Sequence, residues 1–215
     1  MSFEYNRSLG RAATLVIVCT IAIVPLVIAV GTILRVLQAN FVLTIISTIL
    51  SFSGQILFLI AMHRFANYYQ TRAIFRNVLY AFIVTIIGSI VFIILTYGVF
   101  SSLVNSLEAI RNNPSSIPPM SIFIVLITFL GTIWLATFLL ALFQGIFYRR
   151  AFYALADKSG EYNFRQAGFW MFIGGILTII AIGAIMFFVG WIFAIIGFFH
   201  MKPPLTASKP LLTQS

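Results

Sequence analysis

Charge is what this chain has least of: four acidic and thirteen basic side chains make up 8% of its 215 residues. A soluble domain of that length is about a quarter charged, because a surface facing water must be covered with polar groups. Hydrophobic side chains reach 61% and the mean hydropathy is +1.09. That is more apolar surface than one water-facing core hides, so a soluble globular fold is excluded and lipid is the expected solvent.

Cysteine is almost absent too. Cys19 stands alone in the first apolar run, which excludes an intramolecular disulfide and a multi-cysteine metal site. No Asp, Glu, Lys or Arg lies in the middle of an apolar run. Ionisable groups at that depth are the mark of proton relays, ion-coupled transport and voltage sensing. A proton- or sodium-driven transporter is therefore disfavoured, although a passive pore working through backbone carbonyls stays open. No metalloprotease, serine-hydrolase, nucleotide-loop or dinucleotide fingerprint occurs. The chain reads as non-enzymatic, with no cofactor expected.

The net charge of +9 does not indicate nucleic acid. Such binding calls for a basic face on a soluble domain, whereas here the basic residues sit in short clusters beside apolar runs, as the positive-inside rule requires.

What the sequence does have is long apolar runs, and a helix crossing a hydrocarbon core of roughly 30 Å takes about 20 such residues. Four qualify directly: 12–34, 41–62, 78–100 and 122–147. The first exceeds a signal-peptide core of about 7–15 residues and is retained as a span. Pro25 inside it is expected to kink the helix. The last run, Ala167 to Phe199, is too long for one span and short for two. A break near Ile182-Gly183-Ala184 makes it a hairpin, 166–181 and 184–200, where glycine eases the turn.

The fold class predicted is all-α, a polytopic transmembrane helical bundle of six spans within one domain, residues 1–201, with five spans as the alternative. A disordered cytoplasmic tail, 202–215, follows. With six spans, eleven basic residues lie on the cytoplasmic side and only Arg35 and Arg111 outside; with five, the split falls to nine and four. Six spans and two cytoplasmic termini therefore fit best. Seven of the eight tyrosines fall near the same face, where amphipathic rings favour headgroups.

Two cytoplasmic connections carry structure signals. Residues 63–77 read as helix that extends from the second span and turns back. In 148–165, Gly160 reads as a helix C-cap, and Asn163 with Gln166 as a capping box for the next span. The outer segment 101–121, rich in Asn, Ser and Pro, reads as loop. A shift of 89 positions superimposes Gln55 on Gln144, Phe58 on Phe147 and Phe75-Arg76 on Phe164-Arg165, compatible with a parallel duplication of a helical hairpin.

Few residues are candidates for function. Gln55 and Gln144 are the most polar groups deep inside spans; they read first as interhelical glue and second as the lining of a polar site for a small solute. Gly168 and Gly175, then Gly183, Gly190 and Gly197, recur every seven residues and read as helix-packing surfaces. Arg64, Arg72, Arg76, Arg149, Arg150 and Arg165 form a basic cytoplasmic face suited to anionic lipid headgroups. His63, Asp157 and Glu161 would have to converge for an enzyme acting on lipid; Asp157 and Glu161 read instead as surface ion-pair partners of Arg149, Arg150 and Lys158.

The segment Ala156-Asp157-Lys158-Ser159-Gly160, followed by Phe164-Arg165-Gln166-Ala167-Gly168, Ile173-Gly174-Gly175-Ile176-Leu177-Thr178-Ile179, Gly183, Trp191-Ile192 and Phe198-Phe199, resembles a mostly archaeal family, domain of unknown function nine-nine-six. The resemblance is weaker at Ile74-Phe75-Arg76-Asn77 and covers about a third of the chain. It implies a multi-span membrane protein without an assigned reaction, cofactor or substrate. The functional expectation is an accessory or scaffolding subunit of a larger plasma-membrane assembly, touching other subunits or further copies of itself. The alternative is a transporter or passive channel for a small neutral solute.

Overall fold

The structure is a computed structural model describing residues 3–34, 37–112 and 119–203, with side chains at 23–45, 47, 99, 103, 106, 107, 109–122 and 125 outside the described set. Arg35, the side chains of Pro25 and Arg111, the Pro-rich segment 113–118 and the tail beyond 203 thus lie outside it. The described residues form six α-helices: α1 Phe3–Leu34, α2 Leu37–Tyr68, α3 Arg72–Asn112, α4 Pro119–Ser159, α5 Tyr162–Leu177 and α6 Gly183–His200. Among the described residues four stretches are long and apolar enough to cross a membrane: Thr48–Tyr68, Arg72–Ser102, Leu126–Ser159 and Gly183–His200.

Each helix packs on its successor, and α6 packs back on α1. Glycines set several of these contacts by letting backbones touch. A Cβ on Gly145 would stand 2.7 Å from the Met171 carbonyl oxygen, and one on Gly175 would stand 2.7 Å from that of Ala141. These two contacts fix α4 and α5 in one antiparallel register. Gly54 on α2 instead makes room for the Val16 side chain of α1, and Gly88 on α3 for the Leu140 side chain of α4.

The core lies at the end of the bundle where the arginines cluster, here called the basic end. Phe58, Phe65, Phe152, Phe164, Phe198 and Met171 are fully buried there. Phe58 on α2 meets Phe152 on α4, Trp191 and Phe198 on α6, with ring centroids 5.2–6.5 Å apart. Such aromatic pairs are worth about 0.5–1.5 kcal/mol each beyond area burial. The far halves of α3 and α4 contribute little to this core and leave Ile87, Ile90, Ile94, Ile127 and Leu135 exposed.

The connections at the basic end turn through one left-handed residue each. After α2, Thr71 N donates to Ala66 O and Gln70 N to Asn67 O, with Gln70 at φ 50°. This is the Schellman pattern, with glutamine where glycine is commoner. After α4, Gly160 at φ 71° donates to Ala156 O, as expected of a C-cap.

Four expectations are corrected. Helix α3 runs to Asn112 and α4 begins at Pro119, so much of the expected outer loop is helical. Ser101 and Ser102 lose nothing by this, because both hydroxyls donate to the Gly98 carbonyl one turn back. Glu161, not Asn163, occupies the N-cap of α5 and makes no side-chain cap; Asn163 lies inside the helix. The break between α5 and α6 falls at a 3₁₀ turn, Thr178–Ile180, and a left-handed Ala181 at φ 63°. Gly183 is spent differently: its Cβ would lie 2.3 Å from Gly174 O, so it lets the two helices meet. Finally, the ion pair found among the described residues joins Arg7 to Glu4; Glu161 instead accepts from Asn163 Nδ2.

Candidate functional site

Two regions gather polar chemistry. The first is the arginine layer at the basic end. Arg7 Nη1 donates to Met201 O at 3.0 Å, Arg11 Nε to Phe198 O at 3.1 Å, and Arg11 Nη2 to Phe199 O at 3.0 Å. The start of α1 thus caps the end of α6, placing two cations on its last carbonyls and on the negative end of its dipole. Arg11 also covers the Phe199 ring at 4.3 Å, and Arg64 the Tyr5 ring at 4.8 Å.

Across the bundle, the Arg149 guanidinium lies 4.5 Å from the Phe172 ring and 5.2 Å from that of Tyr153, which Arg165 approaches at 5.6 Å. Arg149, Arg150, Tyr153 and Asp157 line an open groove of about 620 Å³. Arg72, Arg76, Arg150 and Arg165 are exposed and Arg64 and Arg149 half-buried; of the six expected basic residues Arg64, Arg149 and Arg165 lie over aromatic rings. Tyr69, in the turn after α2, has its phenol pKa pushed up to about 12, first by burial and then by its neighbour Tyr68. Its hydroxyl has no protein partner among the described residues.

The second region is a cavity of about 730 Å³ between α4 and the α5–α6 turn, lined among others by Trp134, Thr137, Gln144, Thr178 and Phe187. Gln144 Nε2 donates to Thr85 Oγ1 on α3 at 2.9 Å, and that hydroxyl donates on to Ala81 O. Gln144 therefore ties α4 to α3 while bordering the cavity. Gln55 is half-buried on α2 and not part of this lining. One turn from each glutamine Phe58 meets Tyr148 at 6.4 Å, so both sit at similar depth, yet no hydrogen bond joins them among the described residues.

The heptad glycines are buried inside the chain's own packing. Gly168 lies on the Arg149 backbone, Gly175 on Ala141, Gly190 on Ala167 and Met171, Gly197 on the Phe164 ring and Gly183 on Gly174. His63 stacks edge-on against Phe75 at 4.7 Å, on a different helix pair from Asp157 and Glu161. No hydrogen bond or ion pair joins the three among the described residues, and no three His, Cys, Asp or Glu side chains gather there.

Sequence reasoning missed Thr85, Trp134 and the capping pair Arg7 and Arg11. Trp134 carried a signal, being an indole N–H in mid-run that needs a partner. The arginines carried none, since their acceptors lie nearly two hundred residues away.

The family described as "Protein of unknown function (DUF996)" matches residues 50–192, two thirds of the chain. The chain belongs to that family. It is also similar to "Uncharacterized protein MJ1644" of Methanocaldococcus jannaschii, with 26% identity over 170 residues, 79% of this chain and 89% of the relative. No solved structure matches it.

Proposed function

We propose that this family member is a non-enzymatic integral membrane protein that serves as an accessory or scaffolding subunit of a larger plasma-membrane assembly. In this reading all six helices enter the bilayer as one transmembrane domain, both termini are cytoplasmic, and the basic end lies among anionic headgroups. Those are attracted by about 1 kcal/mol per basic residue near the surface.

The observation that carries the reading is the α3–α4 hairpin. Each of its helices has 41 residues, about 60 Å of helix, and its far half meets little of the remaining bundle. Ile87, Ile90, Val91 and Ile94 lie on one exposed face of α3, spaced as one helical stripe. Beside them a groove of about 430 Å³ runs between α3 and α4, floored by Gly88 and Ala136. A concave apolar seam of this kind suits the side chains of another membrane helix. The heptad glycines no longer argue for assembly, because intramolecular packing uses them. The test is site-specific photo-crosslinking from Ile90 and Leu135 in native membranes. A discrete protein adduct supports the reading, and adducts with lipid alone count against it.

A second reading is favoured by the cavity beside Gln144, where Thr137 and Thr178 add hydroxyls to an apolar wall. It would hold a small neutral solute in a transporter. The aromatic core closes the basic end beneath it, so a permanently open pore fits poorly. Loss of solute flux after Gln55→Leu with Gln144→Leu supports transport; unchanged flux removes it.

The two connections at the basic end, each passing through one left-handed residue, agree with a parallel duplication. The 89-residue shift brings their helix breaks together to within two residues.

A further inference from the structure

We infer that the α5–α6 hairpin is re-entrant: its tip ends inside the hydrocarbon, in contact with lipid acyl chains, and does not reach water on the far side. The inference rests on membrane insertion as proposed above and deepens it.

Three observations converge. The first is chemistry. Ile179, Ile180, Ile182 and Ile185 are 53%, 56%, 42% and 60% exposed at the tip. From Leu177 to Phe188 the sole polar side chain is Thr178, and its hydroxyl is turned back onto Gly174 O at 2.8 Å. A turn facing water is ordinarily built from Gly, Pro, Asn, Asp and Ser. The sequence between α3 and α4 carries such residues, Asn113-Pro114-Ser115-Ser116, and that at 177–182 does not.

The second is backbone satisfaction. Irregular backbone at membrane depth survives only where its polar groups find partners. Ala181 N donates to Thr178 O and Ile185 N to Ile182 O. The Ile179 carbonyl, beyond the reach of a regular helix bond, accepts from the Trp134 indole Nε1 of α4 at 3.2 Å. A tip bathed in water would need no such donor.

The third is depth. The Trp134–Ile179 bond sets the tip level with Trp134. That residue lies about 22 Å along α4 from Arg149, at 1.5 Å per residue. From His200 to Gly183, α6 rises about 25 Å. The level of Trp134 falls short of a hydrocarbon core of roughly 30 Å, and α6, at the lower limit of what crosses one, has no length to spare to carry the tip into water. Past Trp134 the apolar sequence of α4 continues to Ile122, about 18 Å further. The cavity that reaches Gln144 adjoins this tip, so a hairpin that stops short gives the far half of the bundle room for a vestibule.

The test uses the full chain with Cys19→Ser in sealed proteoliposomes. Single cysteines go at Ile180 and Ile185, with Glu108→Cys and Lys158→Cys as far-side and basic-end controls; both control side chains are exposed. The probes are a membrane-impermeant maleimide applied to either face, and a bimane label read against phosphatidylcholine brominated in mid-chain. Each control should react from one face only. Ile180→Cys and Ile185→Cys should react at least about tenfold more slowly from both faces and be quenched by the brominated lipid. Labelling of Ile180→Cys from the Glu108 side at the rate of Glu108→Cys overturns the inference while leaving membrane insertion intact. Unsided labelling of both controls, with no quenching anywhere, overturns the membrane reading itself.

Discussion

The α4–α5 contact makes a prediction of sign as well as size. Alanine at Gly145 or Gly175 would put its methyl 2.7 Å from a carbonyl oxygen of the facing helix, where about 3.5 Å is comfortable. Both obstacles are backbone, so no side chain can swing aside and the helices must part by several tenths of an ångström. Overpacking of this kind costs about 1–3 kcal/mol, and alanine returns about 0.5–1 kcal/mol through its better fit to a helix. Gly145→Ala and Gly175→Ala should each destabilise by about 1 kcal/mol, and by at most about 2.5 kcal/mol, on that balance. Gly98 and Gly131 face open space, so the same change there keeps only the gain, about 0.5–1 kcal/mol. The double variant at Gly145 and Gly175 should cost less than the two singles together, since one shift of α5 relieves both contacts. Reversible unfolding in mixed micelles, followed by tryptophan fluorescence, reads all of these. Gly175→Ala stabilising the chain as much as Gly131→Ala would refute the close approach.

Arg11→Gln should cost about 1 kcal/mol in the same assay, because it strips charge-assisted bonds from the last turn of α6 but at a partly wet site; loss of amide-exchange protection confined to the end of α6 would identify the cause. Phe58→Ala should cost about 3–5 kcal/mol, the largest single loss expected, and Phe58→Leu much less. Tyr69 supplies a pH dependence. Its folded pKa is raised, so the folded state holds the phenolic proton more tightly than the unfolded chain, and the resulting stability is present below pH 10 and lost as pH climbs from 10.0 to about 12. Tyr69→Phe should remove that part of the alkaline loss without weakening the protein at neutral pH, as seen in melting temperatures measured across pH.

The helical class was legible because long apolar runs with few charges are the pattern of membrane-length helices; of the six spans expected, four described stretches are long and apolar enough to cross a membrane. The turn at Gly160 was legible because a left-handed C-cap is a local demand. The left-handed tip at Ala181 has no local trace, because glycine at 183 marks the close contact with Gly174 and not the turn itself. The loop expected at 101–121 was overextended for a related reason: serine signals a turn only when its hydroxyl lacks a carbonyl one turn back. For Gln144 the sequence revealed an amide in need of a partner; that the partner is Thr85, and that Gln55 does not share it, depends on helix rotation, which the apolar pattern of α2 and α4 leaves unspecified. The caps that Arg7 and Arg11 place on α6 are set by ring closure of the bundle and have no local trace.

The most direct test of the proposed role is purification of the tagged chain from native membranes in mild detergent, with mass spectrometry of what accompanies it. The assembly reading expects a stoichiometric partner that is lost when Ile90 and Leu135 on the α3–α4 face are changed to tryptophan while α1, α2, α5 and α6 stay folded. Recovery of the chain alone, with solute flux that depends on Gln144, would contradict it.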